Sequence, residues 1–481
     1  ALTLKAYILR MQDKKEEAQE TIHYIQQIDP LDYWSAAEAS LSASQGASFL
    51  KAGTNHNSKG IIAIQELLEV VNNYMTIGAT EDALTLLNSA ISLGEPYASN
   101  PLLYYYKAYN LLKSKNSIEF QTCLDKARSL SPLNNYPFRI EEIALFKTLL
   151  QKRPDDALLH YHLGNLLYFL GQKESGLEHW LHATETDPSF AIAARNVGFG
   201  YGCLNDLEKS IKYYDRAINA NPNDPLLLTE SDKIYEQANI PTDQRLKRLE
   251  SHLKTVMKHD DAVMRLLTLY NAESKYDKSI KILNTRHFHL WEGGGQVHDI
   301  YADSHILKGM QFLKRKQYKE AIREFDLANQ YPSNLEVAPS PNGGYEAKIY
   351  YLSGIAYEAM KQTDKAKICF EKSADTHFRS HLTDLNYYKI KSLRKLNRNG
   401  EADVALSNMQ KTLERILRNP TDSYAKFGEA NQNVQQSNIS YYSGLIHLLQ
   451  NNPSAAKNDF TQALQLYPGN IWAQLMNKDI H

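Results

Sequence analysis

Two consecutive stretches, 157–190 and 191–224, constrain the fold more than any other feature of the chain. Overlaid at an offset of 34 residues, they pair Leu163 with Val197, Gly164 with Gly198 and Leu167 with Tyr201. The match continues through Trp180 with Tyr214, Ala183 with Ala217 and Pro188 with Pro222. A fixed period of this length specifies a helix–turn–helix unit that buries its apolar stripe only against the next copy. The expected fold class is therefore all-α, a helix–turn–helix solenoid.

The same spacing recurs along the chain. Gly309, Gly354 and Gly444 occupy the place of Gly164 and Gly198, and Ala127, Ala328 and Ala463 occupy that of Ala183 and Ala217. A helical glycine costs about 1 kcal/mol relative to alanine. Its recurrence at one place implies that two helices approach closely there. Pro132, Pro188, Pro222 and Pro468 end their units, because proline cannot extend a helix. Extra helices are expected within 32–50 and 138–152. The array is read as 1–285, an interruption at 286–300, and a second array at 301–481 whose final IWAQLMNKDIH begins a capping helix.

This pattern resembles the tetratricopeptide repeat (TPR) family, over most of the chain. The resemblance implies a right-handed superhelix whose first helices line a concave groove. Carried over by position, the groove residues include Tyr105, Tyr109, Tyr161, Asn165, Tyr168, Phe169, Arg195 and Phe199, with Asn196 beside them. Their aromatic character suits a peptide, a partner protein or a sugar. The family's clamp for a C-terminal carboxylate needs two asparagines and three cations. Asn165 and Asn196 stand at the asparagine positions, but Tyr161, Leu226 and Glu230 stand at the cationic ones. A tail carboxylate there would lose water without gaining a counter-charge. Nor do asparagines recur as a ladder along the first helices.

The segment RHFHLWEGGGQVHD, 286–299, breaks the period most sharply. It places His287 and His289 two residues apart, with Trp291 and Glu292 following and a glycine triplet after them. Histidine and carboxylate can ligate metal, but the spacing matches no usual zinc signature, and no metal site is assigned from it. The glycines lack the partners of a phosphate-binding loop. A structural turn plugged by Phe288 and Trp291 is the simplest expectation, with His289, Trp291 and Glu292 as candidate ligand contacts. The segment is similar to the FHPWEGGEG-type stretch in TPR regions of large Bacteroidetes proteins of the DUF5107 group. The match rests on Phe288, His289, Trp291, Glu292, Gly293 and Gly294, with Leu290 in place of proline. That resemblance implies a bacterial protein with a link to carbohydrate.

Composition narrows the function classes. The net charge of −1 gives no general attraction to nucleic acid or anionic lipid. No apolar run approaches the roughly 18 residues of a membrane span. Cys123, Cys203 and Cys369 form no CxxC pair, and Cys123 and Cys369 are expected as small buried hydrophobes. No catalytic constellation or cofactor motif stands out. Ala1 enters within a helical pattern, so the chain is expected to continue upstream, and both cytoplasmic and periplasmic locations stay open. The leading expectation is a non-catalytic protein- or peptide-binding scaffold, whose partner includes its own upstream region as one option. The rival is the accessory region of a carbohydrate-active enzyme or sugar-binding protein, with 287–298 completing a site.

Overall fold

A computed structural model describes residues 1–52, 61–114, 117–289, 296–339, 344–378, 382–418 and 432–480. Among them the regular structure is helical, without strands, as the repeat period requires. They form two compact units, Ala1–Leu204 and Asn205–His481.

In the first unit, helical hairpins are formed by Leu2–Met11 with Lys15–Ile28, Ile61–Thr76 with Thr80–Ser92, Pro101–Ser114 with Ser117–Arg128, and Ala157–Phe169 with Lys173–Thr186. Helix Ala191–Cys203 follows. The expected inserts are Tyr33–Ser42 with the short Phe49–Ala52, and Glu141–Lys152. Both longer inserts are anchored alike. Glu38, fully buried, accepts hydrogen bonds from Tyr74 Oη and Arg10 Nε. Glu142, also fully buried, accepts from Tyr106 Oη at 2.8 Å, and Arg139 lies beside it. A buried carboxylate needs such partners to offset its lost hydration.

In the second unit the repeat glycines show their purpose. A Cβ built on Gly309 would lie 2.4 Å from Phe325 Cε1, and one on Gly354 or Gly444 would lie 2.5 Å from Phe370 or Phe460 Cε1. In the first unit Gly164 stands in the same relation to Trp180 Cδ1, at 2.5 Å. Each glycine thus admits the aromatic ring of its own hairpin partner. Turn chemistry also repeats. Gln317, Gln362 and Asn452 each donate a backbone N–H at 2.9 Å to the carbonyl five residues back, on Phe312, Tyr357 and His447. The residue between, Lys316, Lys361 or Asn451, takes a left-handed conformation with φ near +60°. This closure satisfies carbonyls that the helix end leaves open.

The last helix, Ile471–Asp479, packs on Pro453–Leu466 and also meets residues far earlier in the second unit. Ile471, Trp472 and Leu475 cover Tyr276, Ile280 and Leu307. Tyr467 Oη donates to Glu236 Oε1 at 2.8 Å, and Lys314 Nζ pairs with Asp479 at 2.6 Å. The capping helix expected at this end therefore exists and is received by the inner helices of its own unit. Cys123 is buried as expected, whereas Cys369 is half-buried and Cys203 exposed.

Candidate functional site

The groove residues divide into two groups. Tyr105 is fully buried and Tyr161 nearly so, which corrects the expectation that both present their rings to a ligand. Tyr105 packs edge-on against Phe146 of helix Glu141–Lys152, and its Oη donates to Asp156 Oδ1 at 3.1 Å. Asp156 is also the N-cap of helix Ala157–Phe169, accepting from Leu159 N, and burial pushes its carboxyl above the usual range. Tyr161 lies 5.2 Å from the Phe190 ring. Both tyrosines belong to the core.

Of the remaining residues, all but Tyr109 lie on helices Ala157–Phe169 and Ala191–Cys203, with Asn196 buried beneath the others. Asn165 Oδ1 accepts from Trp180 Nε1 at 2.9 Å and from Asn196 Nδ2 at 3.0 Å. Asn196 Oδ1 in turn accepts from Arg195 Nη1 at 3.1 Å. The Arg195 guanidinium lies 5.7 Å from the centre of the Phe199 ring, and Phe199 lies 6.1 Å from Tyr168. Tyr168 stacks on Trp180 at 4.7 Å. Phe199 is 41% exposed and Phe169 72% exposed. Tyr109 stands apart from this surface, half-buried, with Lys113 Nζ 4.9 Å from its ring centre. The surface thus offers a cation, a hydrogen-bonded amide and solvent-facing aromatic area, and groups of these kinds recognise peptides.

The interruption of the repeat is resolved differently from expectation. Phe288 is fully buried, as a plug should be, but Trp291 and Glu292 lie outside the described residues. Helix Gln296–Lys314 begins within the expected interruption, and His298 is buried in its first turn. There the imidazole stacks on Tyr331 at 3.8 Å and meets Gln330 O at 3.0 Å, while burial lowers its pKa. His287 and His289, by contrast, are exposed and converge on Glu336. His287 Nε2 lies 2.7 Å and His289 Nδ1 3.8 Å from Glu336 Oε1. Glu336 was not singled out in the sequence. It lies 49 residues beyond His287, in a loop with no motif of its own.

A second missed feature lies beneath the last helix. Lys348 is almost fully buried between the Asp384 carboxylate and the Trp472 ring. Asp303 Oδ1 and the hydroxyls of Tyr388 and Tyr441 are shielded from solvent there without hydrogen-bond partners. Burial is the largest influence on Asp303 and pushes its carboxyl up to about 7, against the pull of Lys348. In the second unit the inner polar residues are therefore covered by the chain's own helix.

Comparison with known proteins agrees with the repeat. The family profile described as tetratricopeptide repeat matches residues 201–224 and 347–375. Among solved structures, the chain is similar to YrrB, described as a TPR protein with an unusual peptide-binding site, at 16% identity and a TM-score of 0.30. That alignment covers 45% of this chain and 97% of YrrB. A tetratricopeptide repeat protein from Parabacteroides merdae is similar at 14% identity and a TM-score of 0.23, over 78% of this chain and 98% of that one. A MamA RS-1 double mutant aligns at 17% identity and a TM-score of 0.24, over 40% of this chain and 92% of its own. The chain carries tetratricopeptide repeats, a module that generally mediates protein or peptide binding.

Proposed function

We propose that the chain is a non-catalytic scaffold that binds a peptide segment of a partner protein. In the first unit, the face made by Asn165, Tyr168, Arg195 and Phe199 makes the contact, with the buried Asn196 beneath it. The observation that carries this reading is the relation of Arg195 to Phe199. A cation held 5.7 Å from the centre of a substantially exposed ring sets a positive group for an acidic side chain beside a ring surface for an apolar one. The buried Asn196 donates to Asn165 and so fixes the half-buried Asn165 amide beside that pair. No helix among the described residues is long and apolar enough to cross a membrane.

A phage-displayed peptide library panned on the full chain tests the proposal. Enriched peptides should bind the parent chain and lose at least tenfold in affinity on Phe199→Ala and on Arg195→Glu. Circular dichroism should stay unchanged, because both side chains reach solvent. Equal affinity for parent and variants would move the site elsewhere.

A second reading rests on the Phe288–Gly294 stretch and its likeness to TPR regions of Bacteroidetes proteins. On that reading the chain is an accessory region of a bacterial carbohydrate-active protein, and His289, Trp291 and Glu292 contact sugar. A glycan array separates the two readings: saccharide binding that is lost on Trp291→Ala favours the second.

A further inference from the structure

We propose that His287, His289 and Glu336 form a binding site for one divalent cation of the zinc class. The argument begins with the chain geometry around Phe288. In an extended segment successive side chains alternate sides. Phe288 is fully buried, so the imidazoles before and after it share the solvent-facing side. Their ring centres stand 4.7 Å apart.

The backbone beneath them is fixed. Phe288 N donates to Asn334 O at 2.8 Å, and Asn334 Nδ2 donates back to Leu283 O and Arg286 O, both at 2.7 Å. His289 N donates to Asp260 Oδ2 at 3.0 Å. Asp260 is held by Arg286, whose Nε lies 2.7 Å from Oδ1, and Arg286 Nη1 also donates to Met257 O. From the opposite side, the turn Ser333–Leu335 ends in Glu336 with φ at +53°. That conformation is uncommon for a glutamate, and it brings the carboxylate to the two imidazoles.

The ligand atoms of the three residues lie within 4.8 Å of one another. Tetrahedral zinc, with bonds of about 2.0–2.2 Å to nitrogen and oxygen, needs its ligand atoms roughly 3.3 Å apart. The contacts of 2.7 Å and 3.8 Å to Glu336 Oε1 bracket that separation. Small side-chain rotations suffice to admit the ion, since all three side chains reach solvent. Two imidazoles with one carboxylate suit zinc and its neighbours rather than calcium or magnesium. The bound ion would clip the segment after helix Tyr276–Thr285 to the turn after helix Tyr318–Ala328, leaving a coordination position open to water.

The test uses the full chain freed of metal with a chelator and titrated with zinc chloride. Calorimetry at pH 7.5 should show one saturable equivalent, and the thermal midpoint should rise with zinc. His289→Ala and Glu336→Gln should each weaken binding at least tenfold, with helical circular dichroism unchanged in the absence of metal. His179→Ala is the control, because His160 and His179 form a separate pair with their Nδ1 atoms 2.8 Å apart. Cobalt(II) in place of zinc should give a tetrahedral visible spectrum that the His287→Ala/His289→Ala double variant lacks. Absence of a saturable equivalent, or its retention in the double variant, overturns the proposal. The outcome is independent of whether the first unit binds peptide.

Discussion

The ammonium nitrogen of Lys348 lies 3.4 Å from the centre of the Trp472 ring and 2.5 Å from a carboxylate oxygen of Asp384. Lys348 is 1% exposed, so its ammonium group meets protein rather than water. A desolvated cation–π contact contributes about 2 kcal/mol, and the covered ring adds burial. Trp472→Ala should therefore destabilise the second unit by about 3 kcal/mol in urea unfolding. Trp472→Phe should recover part of that loss. Hydrogen exchange should show Ile471–Asp479 opening first in the alanine variant. Equal stability of the parent and alanine chains would show that the helix rests on its seat without holding it.

The glycine–aromatic contacts give an opposed pair of expectations. Gly354→Ala gains about 1 kcal/mol of helix propensity, yet its Cβ would meet Phe370 at 2.5 Å. Overpacking of this kind costs about 1–3 kcal/mol, so the variant should be less stable than the parent. Gly400, within helix Asn399–Arg418, has nothing within 4 Å of a built Cβ. Gly400→Ala should be neutral or stabilising by up to about 1 kcal/mol. Adding Phe370→Leu to Gly354→Ala should restore part of the loss, since the smaller side chain makes room. Thermal midpoints of the four chains decide the matter.

The repeat was legible because its cause is local. Close approach of two adjacent helices demands a glycine opposite a ring, and both lie within one period, as Gly354 and Phe370 do. The burial of Tyr105 was not legible. Positional carry-over assumes that each first helix meets only another first helix, whereas Phe146 of an inserted helix packs on the Tyr105 ring. Tyr161 was misjudged for a related reason, since Phe190 in the turn before the next helix packs against it. The partnership of His287 with Glu336 spans 49 residues and depends on where two irregular loops meet, which no periodic pattern encodes. The seat of Trp472 on Lys348 is likewise set by tertiary packing, although the helix bearing it could be expected from the sequence.

His162 makes the first unit sensitive to acid. The side chain is fully buried with neither ring nitrogen hydrogen-bonded, and burial lowers its pKa to about 3. A histidine with a depressed folded pKa stabilises the fold above its unfolded value, near 6.5. That contribution falls progressively as pH drops from there toward 3, because the unfolded chain binds the proton more readily. The full effect is on the order of 5 kcal/mol. His162→Leu should remove this part of the acid dependence. Some slope should persist, because His179 is also lowered, to about 4, by burial and by His160, His182 and Lys147. Urea unfolding of the first unit at pH 7, 5 and 4 would reveal the difference; parallel profiles for parent and variant would refute it.

Asp303 reverses the sign in the second unit. Its folded pKa, about 7, lies above the unfolded carboxylate value near 4. The protonated form is favoured in the fold, so its contribution is fully present below pH 4 and is lost as pH rises to 7. Burial is the main cause, Lys348 opposes it, and Asp384 and Asp299 reinforce it. Asp303→Asn keeps the shape, cannot ionise, and leaves Lys348 its contact with Asp384. The variant should therefore be more stable than the parent at pH 8, by on the order of 2 kcal/mol after allowance for partial exposure. At pH 4 the two should be nearly equal. Unfolding midpoints of the second unit at the two pH values test this. A variant less stable at pH 8 would mean that the Asp303 charge supports Lys348 more than its burial costs.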